Sequence, residues 1–303
     1  MKKILVLYYS QSGQLKRVVD SFVSNLSDDD IKVDLKKIIP KKQYPYPWPF
    51  YEFFDEFPES VHLDGCDVNE LKDLEDNYDL IILGYTIWFL SPSLPISGFL
   101  KTQQAKNLFK DKPVITLIAC RDMWIMAQEK MKGLLKNIDA KLIDNVVLTD
   151  QGKSIYTFFT TPRWLLTGKK DSFGFFPPAG ISEEDIKNAA RFGNRIKQTI
   201  ETLNNFQYNP LLKNMGAVNV NGKLIASEKI ATKSFKIWGK LIKLSGKKYS
   251  VNRKIVITVY AVFLIILVLT LVPLNILIRK LLSPFQKNTI KKLEEYYELP
   301  SGR

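Results

Sequence analysis

Ser10-Gln11-Ser12-Gly13-Gln14 follows directly on the apolar run Ile4-Leu5-Val6-Leu7-Tyr8-Tyr9. From Leu15 onward the apolar residues recur at helical spacing, at Leu15, Val18, Val19, Phe22, Val23 and Leu26. A buried strand over 3–9 is therefore expected to end in a short hydroxyl- and glycine-bearing turn, at the start of a helix over 15–26. Such a turn offers an anion the free backbone N–H groups of the first helical turn and the positive end of the helix dipole. Ser10 and Ser12 add hydroxyl donors, and Gly13 allows the backbone to come close. A phosphate site and an ordinary capped βα turn both satisfy this stretch taken alone.

Working outward, strands and helices alternate. Ile31, Val33 and Leu35 alternate as in a strand over 31–39, and residues 67–77 read as a short acidic helix. The run 80–85 is continuously apolar, as in a strand buried on both faces, and a helix is expected near 94–104. Residues 113–119 form another apolar run, followed by a helical pattern over 123–135 and a fifth strand over 141–148. Ser182 and Asp185 mark the start of a long helix reaching about 204. This alternation implies an α/β fold with a doubly wound parallel sheet. Five strands beginning with a phosphate-type loop suggest the flavodoxin-like order, with ligands at the carboxyl ends of the strands.

Two insertions interrupt the alternation. Residues 40–66 carry five prolines and eight aromatic residues between Pro40 and Pro58, so their start cannot be regular helix. Residues 151–180 carry Tyr156, Phe158, Phe159, Trp164, Phe173, Phe175 and Phe176. Both insertions follow strand ends. They are read as an apolar wall or lid for a greasy substrate, the alternative being a cover for the sheet edge or a membrane-facing surface.

Charge divides the chain. The net charge of +13 lies wholly in residues 208–303, which hold 17 Lys/Arg against 4 Asp/Glu, whereas residues 1–207 hold 27 of each. The same tail holds Ile255 to Ile278 without a charge, longer than the ~20 residues that cross a bilayer. Basic residues beside an apolar segment indicate an anionic membrane surface rather than nucleic acid. The expected organisation is a flavodoxin-like domain over 1–207, a basic amphipathic linker with a hairpin at Asn221-Gly222 over 208–254, a transmembrane helix over 255–278 and a basic tail over 279–303. A re-entrant hairpin is the rival to a full span, and only it would let 296–300 return to the domain. The basic flank at Lys247, Lys248, Arg253 and Lys254 favours a cytoplasmic domain. Two cysteines, Cys66 and Cys120, set up no disulfide framework, and a reducing compartment is the default.

Three loops would line the carboxyl edge of such a sheet: Ser10–Gln14, then Thr86-Ile87-Trp88-Phe89, then Cys120-Arg121-Asp122-Met123-Trp124. A flavin ring wants a flat apolar partner and backbone donors. Trp88, Phe89 and Trp124 are candidates for the first role, with core packing as the alternative. Arg121 is the candidate for stabilising negative charge on a reduced flavin or an enolate. The single His62 is a weaker candidate general base. No His or Cys spacing fits a metal.

Ser10-Gln11-Ser12-Gly13, together with Trp88-Phe89, Pro92, Pro95 and Phe99-Leu100, resembles the flavodoxin-like superfamily, in particular its NAD(P)H-quinone-reductase branch. Leu15 departs from that pattern, standing where a hydroxyl residue is usual. Cys120–Trp124 with Met126-Ala127-Gln128-Glu129, the aromatic insertions and Leu299-Pro300-Ser301-Gly302 resemble the bacterial dialkylresorcinol-forming enzymes. These resemblances imply FMN, for which the candidate binding residues are Ser10, Gln11, Ser12, Gly13, Gln14, Thr86, Ile87, Trp88, Phe89, Cys120, Arg121 and Trp124; Arg121 and His62 are the candidate catalytic residues on their own chemistry. The resemblances also imply oxidation of a 2,5-dialkylcyclohexane-1,3-dione to a resorcinol, with ketosynthase and acyl-carrier partners and a homodimer as further expectations. The alternatives are a quinone reductase using NAD(P)H, and a flavin-free membrane-tethered scaffold.

Overall fold

The computed structural model describes residues 1–203 and 210–302, with the backbone alone described over 271–286. The strands are β1 (Lys2–Tyr8), β2 (Ile31–Lys37), β3 (Leu80–Trp88), the two-residue β4 (Ser91–Pro92), β5 (Pro113–Cys120) and β6 (Lys141–Thr149). The five long strands are parallel in the order β2-β1-β3-β5-β6, while β4 doubles back antiparallel on β3. With β4 set aside, this is the 2-1-3-4-5 order of the flavodoxin-like fold, and the chain has that fold.

The central strands are apolar because helices cover both faces. Ile4 to Leu7, Leu80 to Leu83 and Val114 to Ile118 are buried throughout. The helix α1 (Gln14–Val23) lays Leu15, Val18, Val19 and Phe22 on the sheet. Beyond β3 the expected single helix is two, α4 (Leu94–Phe99) and α5 (Gln103–Phe109), because Thr102 caps the second by accepting from Ala105 N. After β5 comes α6 (Ile125–Lys136). The helix expected from 183 is α8 (Glu183–Asn188) and α9 (Ala190–Thr199), with the predicted cap in place, as Ser182 accepts from Asp185 N at 3.0 Å. Its expected end at 204, and the 207/208 boundary, lie outside the described residues.

Two further expectations are corrected. Residues 67–77 are not helical. Their acids serve neighbouring strands instead, Glu75 binding Lys3 and Lys32, while the Leu71 backbone pairs with the Gln104 side chain. The Asn221-Gly222 hairpin is also absent, since Gly222 opens a 24-residue helix, α10 (Gly222–Ser245). Val218 and Val220 are buried in the domain core rather than paired with 223–225.

The insertions are compact. Residues 40–66 contain α2 (Phe50–Asp55) and α3 (Phe57–Val61), and residues 151–180 contain α7 (Thr157–Thr167). The tail ends in α11 (Val251–Tyr297), 47 residues long. Its segment Val251–Thr270 is long and apolar enough to cross a membrane, with mean hydropathy 2.2. The rest of the expected span, and the basic flank at Arg279 and Lys280, lie outside the described side chains.

Candidate functional site at the carboxyl edge of the sheet

Parallel pairing puts the ends of β1, β3, β5 and β6 at one edge, so the three predicted loops gather there together with the second insertion. Gly13 has φ +83°, a left-handed conformation that glycine adopts without strain, and a Cβ there would meet nothing within 4 Å. The turn therefore presents an open backbone at the N-terminus of α1. Ser10 is buried and accepts from Lys16 N at 3.3 Å, whereas Ser12 is exposed. Leu15, the unusual residue of the loop, points into the core. Gln11 is fixed by the first insertion: its amide donates to Pro45 O at 2.6 Å, and its carbonyl accepts from Trp48 Nε1 at 3.0 Å. Gln14 lies against Gly180 of the second insertion.

The expected ring partners are otherwise engaged. Trp88 is buried within edge-on contacts to Tyr44, Trp48 and Tyr9 at 5.0, 5.4 and 6.0 Å between ring centres. Phe89 lies among Phe53, Phe57 and Phe54, and Trp124 is 3% exposed in the core. The reason is the first insertion, whose aromatic side chains need burial and find it on the β3 loop. In that loop Thr86 carries a buried Oγ1 that has no hydrogen-bond partner among the described residues.

The β5 loop carries most of the charge. Arg121 donates from Nε to Thr157 Oγ1 at 2.8 Å and lies over the Phe158 ring at 4.1 Å, so α7 of the second insertion holds it. Burial lowers its pKa from the ordinary value, with Asp122 and Asp150 working the other way. Asp122 accepts from Ser154. Asp150 accepts from Gly152 N at 2.8 Å and from Gly180 N, and its carboxyl is pushed up by burial. Burial also pushes the Cys120 thiol up, which disfavours a thiolate at neutral pH.

Glu228, on α10, is a residue that the sequence reading did not single out. It is fully buried, and its Oε1 accepts from Met126 N at 2.6 Å, in the first turn of α6. Its Oε2 has no hydrogen-bond partner among the described residues, and burial raises its pKa to about 8. Lys130, a turn further along α6, donates to Ser91 Oγ at 2.6 Å and is lowered by burial to about 8. A signal was present in the sequence: Glu228 is the one acid between Glu201 and Glu294, inside a strongly basic stretch.

His62 is not brought to this group. It closes α3 and faces α10, where a Cβ on Gly239 would stand 3.2 Å from its Nε2. Burial, with Lys243 adding to it, lowers its pKa. Among the described residues no group of His, Cys, Asp and Glu is arranged to hold a metal. A cleft of about 400 Å³ lies between Gln151–Lys153, Tyr156 and Gly174–Pro177 in the second insertion. A larger one, about 640 Å³, lies at the far end of the sheet around Asp28, Ile31 and Asn194, away from the loops.

No family model and no curated protein matches this chain. Solved structures do. A flavoprotein in complex with FMN from Lactobacillus acidophilus is 22% identical, with a TM-score of 0.40 over 48% of this chain and 93% of that one. A flavodoxin from the domain Archaea is 12% identical, with a TM-score of 0.36 over 66% and 99%. A flavone reductase is 14% identical, with a TM-score of 0.36 over 68% and 66%. At such scores the fold assignment stands on the strand order described above.

Proposed function

We propose that the chain is a membrane-bound, FMN-dependent oxidoreductase acting on a lipophilic ring. The supporting observation is the open left-handed turn at Gly13, set at the N-terminus of α1 beside the β3 and β5 loops. The chain's own residues fit FMN at the phosphate end: backbone N–H groups of 12–15, the exposed Ser12 hydroxyl and the dipole of α1. Leu15 contributes to the core rather than to the phosphate, so backbone donors carry that end. At the ring end the backbone of 86–89 and 120–122 would supply donors and acceptors, beside the buried Thr86 hydroxyl that has no partner among the described residues. Trp88 and Trp124 shape the wall from behind rather than stacking on the ring. Bound FMN would supply a two-electron acceptor.

The remaining chemistry belongs to the protein. Arg121 keeps a fixed positive charge at the carboxyl edge, anchored through Nε, where a substrate enolate would gain most from it. The aromatic insertions exclude water from an apolar substrate. The finer reading is oxidation of a 2,5-dialkylcyclohexane-1,3-dione to a dialkylresorcinol, in which two hydrogens leave the ring and aromaticity is gained. Its support is the combination of an enolate-stabilising cation, aromatic walls and a lipid-seeking tail. The test is anaerobic. The detergent-purified protein is loaded with FMN and mixed with a dialkylcyclohexanedione or with NAD(P)H. Bleaching of the flavin by the dione alone supports the aromatase reading, and bleaching by NAD(P)H alone supports quinone reduction. A preparation that takes up no FMN refutes both.

A further inference from the structure

Both ends of α11 are fastened to the same body. At its start Arg253 is buried, donating from Nε to Asp55 Oδ1 at 2.6 Å and from Nη2 to Glu59 Oε2 at 2.8 Å. Tyr260 stacks on Phe57 at 4.5 Å and packs on Trp238 of α10 at 5.3 Å. At its end Glu294 accepts from Gly222 N at 3.1 Å, and Tyr297 is buried in the main core. Beyond it Ser301, fully buried, accepts from Asn145 N at 2.7 Å and donates to Asn145 O at 3.0 Å, on β6.

These contacts do not allow a straight helix. Tyr260 lies beside Trp238, and Ile290 lies beside Gly222, where a Cβ on the glycine would meet its Cγ2 at 2.5 Å. Along α10 those two points are about 24 Å apart, at 1.5 Å per residue. Along α11 they are about 45 Å apart at the same rise. The helix therefore goes out and comes back between Tyr260 and Ile290. Pro273 and Pro284 both lie in that stretch, and a proline lacks the N–H that a helix interior uses, which favours a bend. Shared between an outgoing and a returning arm, the length of about 45 Å allows a depth of at most about 22 Å. That depth passes through one leaflet's hydrocarbon, about 15 Å, and falls short of the full ~30 Å.

The outgoing arm is apolar where it leaves the protein, with Val259, Val262, Ile265, Ile266 and Leu269 each more than half exposed. Alongside it, α10 turns Ile225, Gly239 and Ile242 inward and exposes Ile230, Ile237, Leu241 and Leu244 on one stripe. Exposed Lys233, Lys236, Lys240 and Lys247 border that stripe, and exposed Lys254, Lys287, Lys291 and Lys292 stand at the two roots of α11. An apolar stripe edged by lysines suits the plane of an anionic membrane surface.

Building on the membrane reading above, we propose that residues 251–297 form a re-entrant hairpin. It dips into one leaflet of an anionic bilayer from the side of the catalytic domain, with α10 lying along the surface. On this reading both roots of the hairpin lie on the domain side, and Tyr297 and Ser301 are structural pieces of the flavodoxin-like domain. The carboxyl edge and the bilayer are joined by a run of touching rings, Trp48, Phe53, Phe89, Phe57, Tyr260, Trp238 and Phe263, each within 6 Å of the next.

The test places single cysteines at Lys254→Cys and Lys291→Cys in the full chain, expressed in bacterial membranes. Cys66 and Cys120 of the wild type set the background. A membrane-impermeant maleimide is applied to right-side-out and to inverted vesicles. Labelling of both positions in the same vesicle type supports the hairpin, and labelling in opposite types overturns it in favour of a full span. Recovery of the wild type in the soluble fraction, as monomer or as a dimer burying its apolar arms, overturns the membrane reading itself. Should Lys254→Cys fail to accumulate, Lys233→Cys replaces it with the same outcomes.

Discussion

Replacing Glu228 by glutamine should stabilise the protein, and increasingly so as pH rises. The wild-type carboxyl is fully buried with one oxygen on Met126 N and the other without a partner among the described residues, and burial raises its pKa from 4.5 to about 8. A carboxyl whose pKa is raised by folding holds more protons in the folded state than in the unfolded one between those two values. Stability therefore falls as pH rises through that window. At about 1.36 kcal/mol per unit, this one group removes roughly 3 kcal/mol of stability between about pH 5.5 and about pH 8. Glutamine keeps an acceptor for Met126 N–H and cannot ionise, so it abolishes that part of the slope. Urea unfolding of the full chain in detergent, wild type against Glu228→Gln at both pH values, isolates the effect from other titrating groups. The advantage of the variant should grow by roughly 3 kcal/mol toward the higher pH. Parallel stabilities would show that Glu228 is ionised, or solvated, in the folded protein.

Three further outcomes follow from the same contacts. Arg253→Ala leaves Asp55 buried without its cation and should destabilise by about 3–5 kcal/mol, seen as a lower urea midpoint; an unchanged midpoint would mean that the base of α11 is not docked. Gly13→Ala forces a β-carbon into a left-handed turn in open space, at a cost of about 1–2 kcal/mol, and should weaken FMN uptake about tenfold in a fluorescence titration while leaving the far-UV spectrum intact. Ser301→Val leaves the Asn145 N–H and C=O without their partner in the core and should cost about 1–3 kcal/mol, whereas a tail that is free in solution would tolerate it.

The sheet was legible because its strands are apolar on both faces and its helices carry a one-sided stripe, so each element announces its own period. The turn at Gly13 was legible for a similar local reason: hydroxyl residues and a glycine stand directly between an apolar run and a helical stripe. Features set by distant partners were not. Nothing local to 67–77 says that its acids serve Lys3 and Lys32, or that Val218 and Val220 belong to the core and free Gly222 to start a helix. The faces of Trp88 and Phe89 looked available until the first insertion folded its rings over them.

By itself, then, the amino-acid sequence determined the doubly wound parallel sheet, the loop at its leading strand and the concentration of positive charge beside one long apolar run. The tertiary structure decided which polar groups share the carboxyl edge. It brought Glu228 from a distant helix to the first turn of α6, and it turned His62 away. It also decided that the tail comes back. Composition records that a segment is apolar and long enough, but direction depends on where its two ends are held, and those holds, Arg253 on Asp55 and Ser301 on Asn145, join residues 198 and 156 positions apart. Contacts at that separation have no local signature, because nothing in the neighbouring residues is changed by making them.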